Sequence, residues 1–124
     1  MKEPTTESVQ QNEKNFYLML RLEKDQSTDE IKIKTVEREV YQKAGNPLPT
    51  QGVFDGKHLF TCELTGKNGE IIRKVEQKIN LDLGPAKNEG ILKFIVPFPK
   101  EAYHVEVKHL TLDGVWITIY SDKL

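Results

Sequence analysis

Short runs in which apolar residues occupy every second position recur along this chain, and this alternation restricts its fold more than any other feature. The run FYLMLRL begins at Phe16 and places its phenylalanine and three leucines on one parity. The run HLFTCELT does the same with Phe60, Cys62 and Leu64. Period-two alternation is typical of strands that have one face in a core and the other in water. The pattern therefore predicts antiparallel β-sheet.

Turn-forming residues separate these runs. Asn68 with Gly69 and Asp113 with Gly114 are pairs that tolerate positive φ, so each pair predicts a tight hairpin. The stretches NPLPTQGVFDGK and GPAKNEG are rich in glycine and proline and predict irregular connections. The runs number about seven, and a single open sheet would leave half of their apolar positions in water. We therefore expect an all-β fold, an antiparallel sandwich of about seven strands.

The segment FIVPFPKEAYHVEV predicts where the chain crosses from one sheet to the other. Pro97 and Pro99 end a run that otherwise alternates as a strand does. Proline has no backbone N–H to donate, so within a sheet it marks an edge or a strand end. The chain then turns and a new alternating run begins. The core expected between the two sheets includes Phe60, Leu64, Phe94, Val96 and Val105.

The segment STDEIKIKTVEREVYQKAGNP supports two interpretations. Ser27 and Glu30 have the spacing of a helix capping box, and the glycine and proline at its end suit a helix stop. Against a helix, the segment is rich in Ile, Val, Thr and Tyr, and EIKIK alternates as a strand does. We favour a strand. The apolar phase changes between Ile33 and Val36, which in a strand requires a bulge.

Residues 1–15 predict a flexible polar leader, and residues 16–124 a single sandwich domain. The leader contains one aliphatic residue, Val9, amid polar side chains, too few to offset the entropy lost on ordering. No apolar run approaches the roughly 18 residues of a membrane helix, so no integral membrane segment is expected. The 18 Lys and Arg against 19 Asp and Glu give a net charge of −1, which argues against nucleic-acid binding.

The order of FYLMLRL, HLFTCELTGKNGEII, LKFIVPFPKEAYHVEV and LDGVWITIY resembles the immunoglobulin-like β-sandwich modules of bacterial secreted and cell-surface proteins. The resemblance covers roughly residues 16–120 and is one of fold. It departs from antibody-type domains, because Cys62 has no second cysteine to pair with and Trp116 lies near the end of the chain. What the resemblance implies is a binding, spacing or docking role in an extracellular or cell-envelope protein.

The inventory of chemical groups indicates no enzyme. His104 and His109 are five positions apart, so on a regular strand they face opposite ways and cannot share a metal ion. His58 can approach them only through tertiary contact. The chain has no serine elbow, phosphate-binding glycine loop or helix–loop–helix calcium motif, and we expect no cofactor and no metal. A small hydrolase using Glu63, His104 or His109 is the less favoured alternative.

Two aromatic residues near the C-terminus are the candidate ligand-binding residues. Trp116 and Tyr120 share a parity on the last predicted strand. If Val115, Ile117 and Ile119 face the core, both rings face outward and form a platform for a glycan. The competing interpretation is that Trp116 fills the core, as a single tryptophan in a small sandwich often does.

These observations predict a non-catalytic interaction, adhesion or spacer module. Its expected partner is another protein or a neighbouring domain, and a carbohydrate-binding module is the alternative. We expect an extracellular or cell-envelope location from the resemblance. A cytoplasmic location stays open, because residues 1–15 lack the apolar centre of a signal peptide. Nothing in the sequence pattern fixes the oligomeric state.

Overall fold

Antiparallel strands account for the regular structure of this chain. The computed structural model describes residues 14–28, 30–42 and 57–124, and these residues form no helix. The predicted all-β fold is therefore confirmed for the part of the chain that is described. Its strands are β1 (Lys14–Lys24), β2 (Ile31–Gln42), β3 (His58–Thr65), β4 (Ile71–Ile79), β5 (Glu89–Phe98), β6 (His104–Leu110) and β7 (Trp116–Lys123).

The strands form two sheets. The three-stranded sheet has the order β2-β1-β5 and the four-stranded sheet the order β4-β3-β6-β7, with every pairing antiparallel. In the constant-type immunoglobulin sandwich the first, second, fourth and fifth strands share one sheet. Here the fourth strand lies beside the third, and the first strand lies between the second and the fifth.

A single apolar core joins the inner faces of the two sheets. The five residues expected to meet there are all fully buried, so this prediction is confirmed. Burial of apolar side chains stabilises the fold by roughly 25 cal/mol per Å² removed from water. The core consists of Phe16, Leu18, Leu20, Leu22, Phe60, Cys62, Leu64, Leu81, Leu92, Phe94, Val96, Val105 and Val107.

The ambiguous second segment is a strand, and its change of phase is a bulge. Arg21 pairs with Thr35 and Leu22 with Ile33, so Lys34 is the extra residue. Both halves of β2 then present their apolar positions to the same face, with Ile33 before the bulge and Val36 after it. The sequence therefore predicted both the strand and the place of its irregularity.

The proline-containing segment crosses between the sheets as predicted. β5 lies at the edge of the three-stranded sheet. Proline has no N–H to donate, and an edge strand tolerates this loss at Pro97 better than a central strand would. After Pro99 the chain makes a turn closed by the Ala102 N–H, which donates to the Pro99 carbonyl at 3.1 Å. The Tyr103 N–H then bonds the Thr65 carbonyl at 2.8 Å, which places the chain at the end of β3 in the other sheet.

The two predicted hairpin turns are also present. Gly69 and Gly114 have φ of 86° and 84°, the left-handed region that glycine adopts without a steric penalty. β1 begins at Lys14, two residues before the predicted start of the domain. Residues 1–13 of the expected leader lie outside the described residues, as do residues 43–56 of the first irregular connection. No helix in the described ranges is long and apolar enough to span a membrane.

The two sides of the sandwich are joined differently. On the β4–β5 side, Gly90 packs so closely on Leu81 and the backbone of Asn80 that no side chain fits between them. On the β2–β7 side, Arg38 crosses from one sheet to the other. Its guanidinium donates to the Tyr120 hydroxyl at 3.1 Å and the Lys123 carbonyl at 2.9 Å, and pairs with Asp122 at 3.1 Å.

Candidate functional site

The two candidate aromatic residues lie on opposite faces of β7. Trp116 pairs with Leu110 and Tyr120 with Val107, and a register shift near Ile119 separates the two pairs. Because Leu110 and Val107 are three positions apart on β6, they face opposite ways, and so do their partners. Trp116 faces outward and is 43% exposed, so it does not fill the core. Tyr120 faces inward, and the two rings do not form one platform.

Exposed apolar side chains concentrate at the hairpin that joins β6 to β7. Leu112 at the turn is 87% exposed and Val115 after it 55%. Ile117, at 48%, faces the inner side of β7, since it pairs with the inward-facing His109. Asp113 is the only charged residue between Lys108 and Asp122 when histidine is neutral. We call Leu112, Val115, Trp116 and Ile117 the hairpin patch.

The outer face of the four-stranded sheet extends this patch. Leu59 pairs with Leu110, and Leu110 with Trp116, so three apolar residues form a row across β3, β6 and β7. Leu59 and Leu110 are half-buried and Trp116 is exposed. Charged residues occupy most of the remaining outward positions on β4 and β6. The apolar row therefore ends at the hairpin patch, at one end of the molecule.

Two histidines meet at the same end of the molecule, on the inner face. His109 pairs with Ile117 and Phe60, and His58 lies two positions before Phe60 on β3, so both rings face inward. Nδ1 of His58 is 3.3 Å from Nε2 of His109, a distance at which one imidazole donates its N–H to the other. Phe60 stacks on the His109 ring at 4.7 Å between centroids.

The surroundings of His109 disfavour its charged form. Burial, together with the proximity of His58, lowers the pKa of His109 from 6.5 to about 4. His109 therefore stays neutral at physiological pH and its ring packs as part of the core. In the described ranges no group of three or more His, Cys, Asp or Glu side chains is placed to hold a metal ion.

The other candidate catalytic residues lie on the outer face of the four-stranded sheet. Glu63 is nearly buried, and its Oε1 accepts an ion-pair contact from the Lys108 ammonium at 3.1 Å. Nε2 of His104 is 2.7 Å from the Ser121 hydroxyl and 3.9 Å from Glu106. The structure thus separates His109 from Glu63 and His104, which face the other way.

The contacts of His104 do not match a nucleophile–base–acid relay. Such a relay needs the serine on one ring nitrogen and the carboxylate on the other, so that the acid orients the base. Here Ser121 and Glu106 both approach Nε2 of His104. The carboxylate therefore competes with the serine for one nitrogen and cannot orient the ring from behind.

A polar groove of about 330 Å³ lies beside the turn between β1 and β2, lined in part by Asp25, Ser27, Lys32 and Asn88. Oδ1 of Asp25 accepts bonds from the Ser27 N–H at 2.8 Å and hydroxyl at 2.6 Å. These bonds to the Ser27 side chain and backbone, with a further bond from Thr28, lower the pKa of Asp25 to about 2. Asp25 is thus committed to the turn.

Comparison of the chain with protein-family models, with curated protein sequences and with solved structures found no match. The assignment of a function therefore depends on the surfaces described above. The two aromatic residues lie on different faces, and the polar groups around His104 are paired with one another. The Asp25 carboxylate is used to stabilise the turn between β1 and β2. Among the exposed apolar residues of the described ranges, four are concentrated in the hairpin patch, and this patch is the candidate functional site.

Proposed function

We propose that this protein is a non-catalytic interaction module that binds another protein or a neighbouring domain through the hairpin patch. The observation that carries the proposal is the concentration of four exposed apolar side chains within six residues, Leu112 to Ile117. Contiguous exposed apolar surface on a soluble domain commonly marks an interaction site. Burial of these side chains against a partner would supply the driving force for binding.

A protein partner fits the chemistry of the patch better than a glycan. Sugar rings stack on aromatic faces, and Trp116 is the single aromatic residue of the patch. Leu112, Val115 and Ile117 are aliphatic, which suits an apolar protein surface. Tyr120, the second ring of the expected platform, faces the other way and is bonded to Arg38. Glycan binding would therefore depend on one ring alone.

The proposal of a non-catalytic role is supported by how the polar groups are paired. Glu63 is paired with Lys108, and Ser121 and Glu106 share one nitrogen of His104. A hydrolase would need its acid and base to converge on a bound substrate. The spacer and adhesion roles belong to the same proposal, because each requires binding and no chemistry.

We also propose that the module belongs to the broad class of immunoglobulin-like sandwiches in secreted or surface proteins. Two sheets of three and four antiparallel strands support this grouping, and the central position of β1 departs from the constant-type arrangement. The location follows from the sequence resemblance. An antibody against the folded domain, applied to intact source cells and to their medium, checks it. Detection only after lysis would contradict the location.

The binding proposal is tested by site-specific photo-crosslinking in the source cells. A benzophenone amino acid replaces Leu112 in one variant and Leu83 in the control, because both leucines are exposed but Leu83 lies outside the patch. We expect a discrete adduct with one protein from position 112 and not from position 83. Trp116→Ala, added to the first variant, should reduce its yield. Identical adducts from both positions would reject the proposal.

A further inference from the structure

The four edge strands of the described sheets differ in how they are protected. A sheet edge exposes unpaired backbone groups, and proteins usually guard it with charged residues, proline or bulges. Between its ends β2 carries Lys, Glu and Arg, and so does β4. β5 carries Lys93 and Pro97. β7 has no charged residue before Asp122, and the uncharged segment extends back to Gly114.

The uncharged edge is also apolar on both of its faces. Trp116 faces outward and Ile117 inward, and both are more than two-fifths exposed. On the same side of the sandwich, Val36 and Val40 flank Arg38 on the inner face of β2 and are exposed as well. The Arg38 contacts to β7 therefore lie between two exposed valines, Val36 and Val40. Such an edge suits pairing with another uncharged strand.

We propose that β7 is a dimerisation edge, at which two copies of this chain pair in antiparallel fashion through the segment Val115–Ile119. A second copy is the partner that these features favour, because it presents the same uncharged strand and because one two-fold axis pairs the two β7 edges, which no described strand occupies. The net charge of −1 opposes association only weakly.

The symmetry fixes which residues meet. An axis at Ile117 places this residue opposite its own copy and Trp116 opposite Thr118 of the second copy. Val115 then lies opposite Ile119 of the second copy, so the inner side of the seam is wholly apolar. The bulge near Ile119 limits the regular pairing to a few residues. The dimer is therefore reversible and dependent on concentration.

This inference rests on the proposed function and names the partner of the patch. Its first test is sedimentation of the full chain over a range of concentrations. The wild type and the control Ile71→Lys should associate alike, since Ile71 is somewhat more exposed than Ile117, at 54% against 48%, but lies on the β4 edge. Ile117→Lys should stay monomeric. A wild type that is monomeric throughout, or an Ile117→Lys variant that still associates, overturns the inference.

The second test is disulfide trapping. Opposed residues of antiparallel strands have Cα atoms about 4.5 to 5.5 Å apart, which suits a disulfide. Under mild oxidation Ile117→Cys should form a disulfide-linked dimer far faster than Ile71→Cys. The native Cys62 does not compete, because it is buried. Equal rates for the two variants would indicate random collision and reject the inference.

The two proposals fail in different ways. A monomeric chain that shows no trapping at position 117, but still gives a photo-adduct with a different protein at position 112, rejects self-pairing and keeps the interaction module. A monomeric chain that shows neither trapping at position 117 nor a photo-adduct at position 112 rejects both proposals.

Discussion

Two imidazole rings share a hydrogen bond at the end of the core, and one of them is buried against Phe60. A neutral imidazole pair can keep this bond, with one nitrogen donating and the other accepting. When both rings are protonated, neither nitrogen can accept and the two charges repel. Protonation is most costly at His109, because its buried ring would hold the charge away from water.

This environment predicts a loss of stability in mild acid. The pKa of His109 is about 4 in the folded chain against 6.5 without burial, so the unfolded chain binds the proton first as the pH falls. The His109 contribution is complete above pH 6.5 and is lost as the pH falls toward 4. We expect the free energy of unfolding to fall by roughly 1 to 3 kcal/mol from this group.

Urea unfolding at several pH values checks the prediction. The excess stability of the wild type over His109→Gln should shrink between pH 7 and pH 4.5. Parallel curves for the wild type and His109→Gln would contradict the assigned environment.

Single residues differed in how well the sequence predicted them. The buried positions Phe60, Leu64, Phe94, Val96 and Val105 followed from parity, because apolar residues recur at every second position in each of their runs. The proximity of His58 and His109 did not, since it depends on the pairing of β3 with β6. These strands are separated by β4 and β5 in the chain, and no local pattern reports which distant strands become neighbours.

At the scale of the strand, the bulges in β2 and β7 differ in the trace they leave in the sequence. In β2 the apolar residues change parity across Lys34. The change is visible in the sequence because charged residues occupy most of the alternate positions. In β7 the run VWITIY is apolar on both parities, so a change of phase leaves no trace. This is why the bulge in β2 was predicted, while the one in β7, which separates Trp116 from Tyr120, was missed.

The bulge in β2 predicts an asymmetry between two deletions. Removal of Lys34 leaves the pairs on both sides in register, so we expect a loss of about 1 kcal/mol or less. Removal of Glu37 turns Arg38 and Val40 to the opposite face and breaks the Arg38 contacts with β7, at a cost of at least about 2 kcal/mol. Chemical denaturation followed by circular dichroism measures both. Equal losses would show that Lys34 is not the extra residue.

At the scale of the whole molecule, Gly90 of β5 packs closely against the residues that follow β4. A Cβ atom at this position would lie 2.5 Å from Cδ2 of Leu81 and 2.9 Å from the Asn80 carbonyl oxygen. The backbone of Asn80 cannot move aside as a flexible side chain can. The lack of a side chain at Gly90 is therefore what allows β5 to pack this closely against the residues after β4.

Gly90→Ala should consequently lower the free energy of unfolding by about 1 to 3 kcal/mol. Gly114→Ala is the matched control, because its added methyl group meets open space and carries only the strain of a positive φ. We expect a larger drop in Tm for Gly90→Ala, measured by calorimetry. A drop no larger than that of the control would contradict the close approach.

The fold class and most of the core were thus accessible from alternation and turn chemistry. The order of strands was not: the alternation in β1 predicts a strand but not its place between β2 and β5. Strand order is decided by which connections can form and which surfaces match, and a single sequence records neither directly.

Cys62 is fully buried in a central strand, and burial raises the pKa of its thiol to about 12. A thiol reagent in solution can reach this sulfur only when the inter-sheet core opens. The rate at which native protein consumes such a reagent therefore reports how often the sandwich comes apart, without any label being introduced.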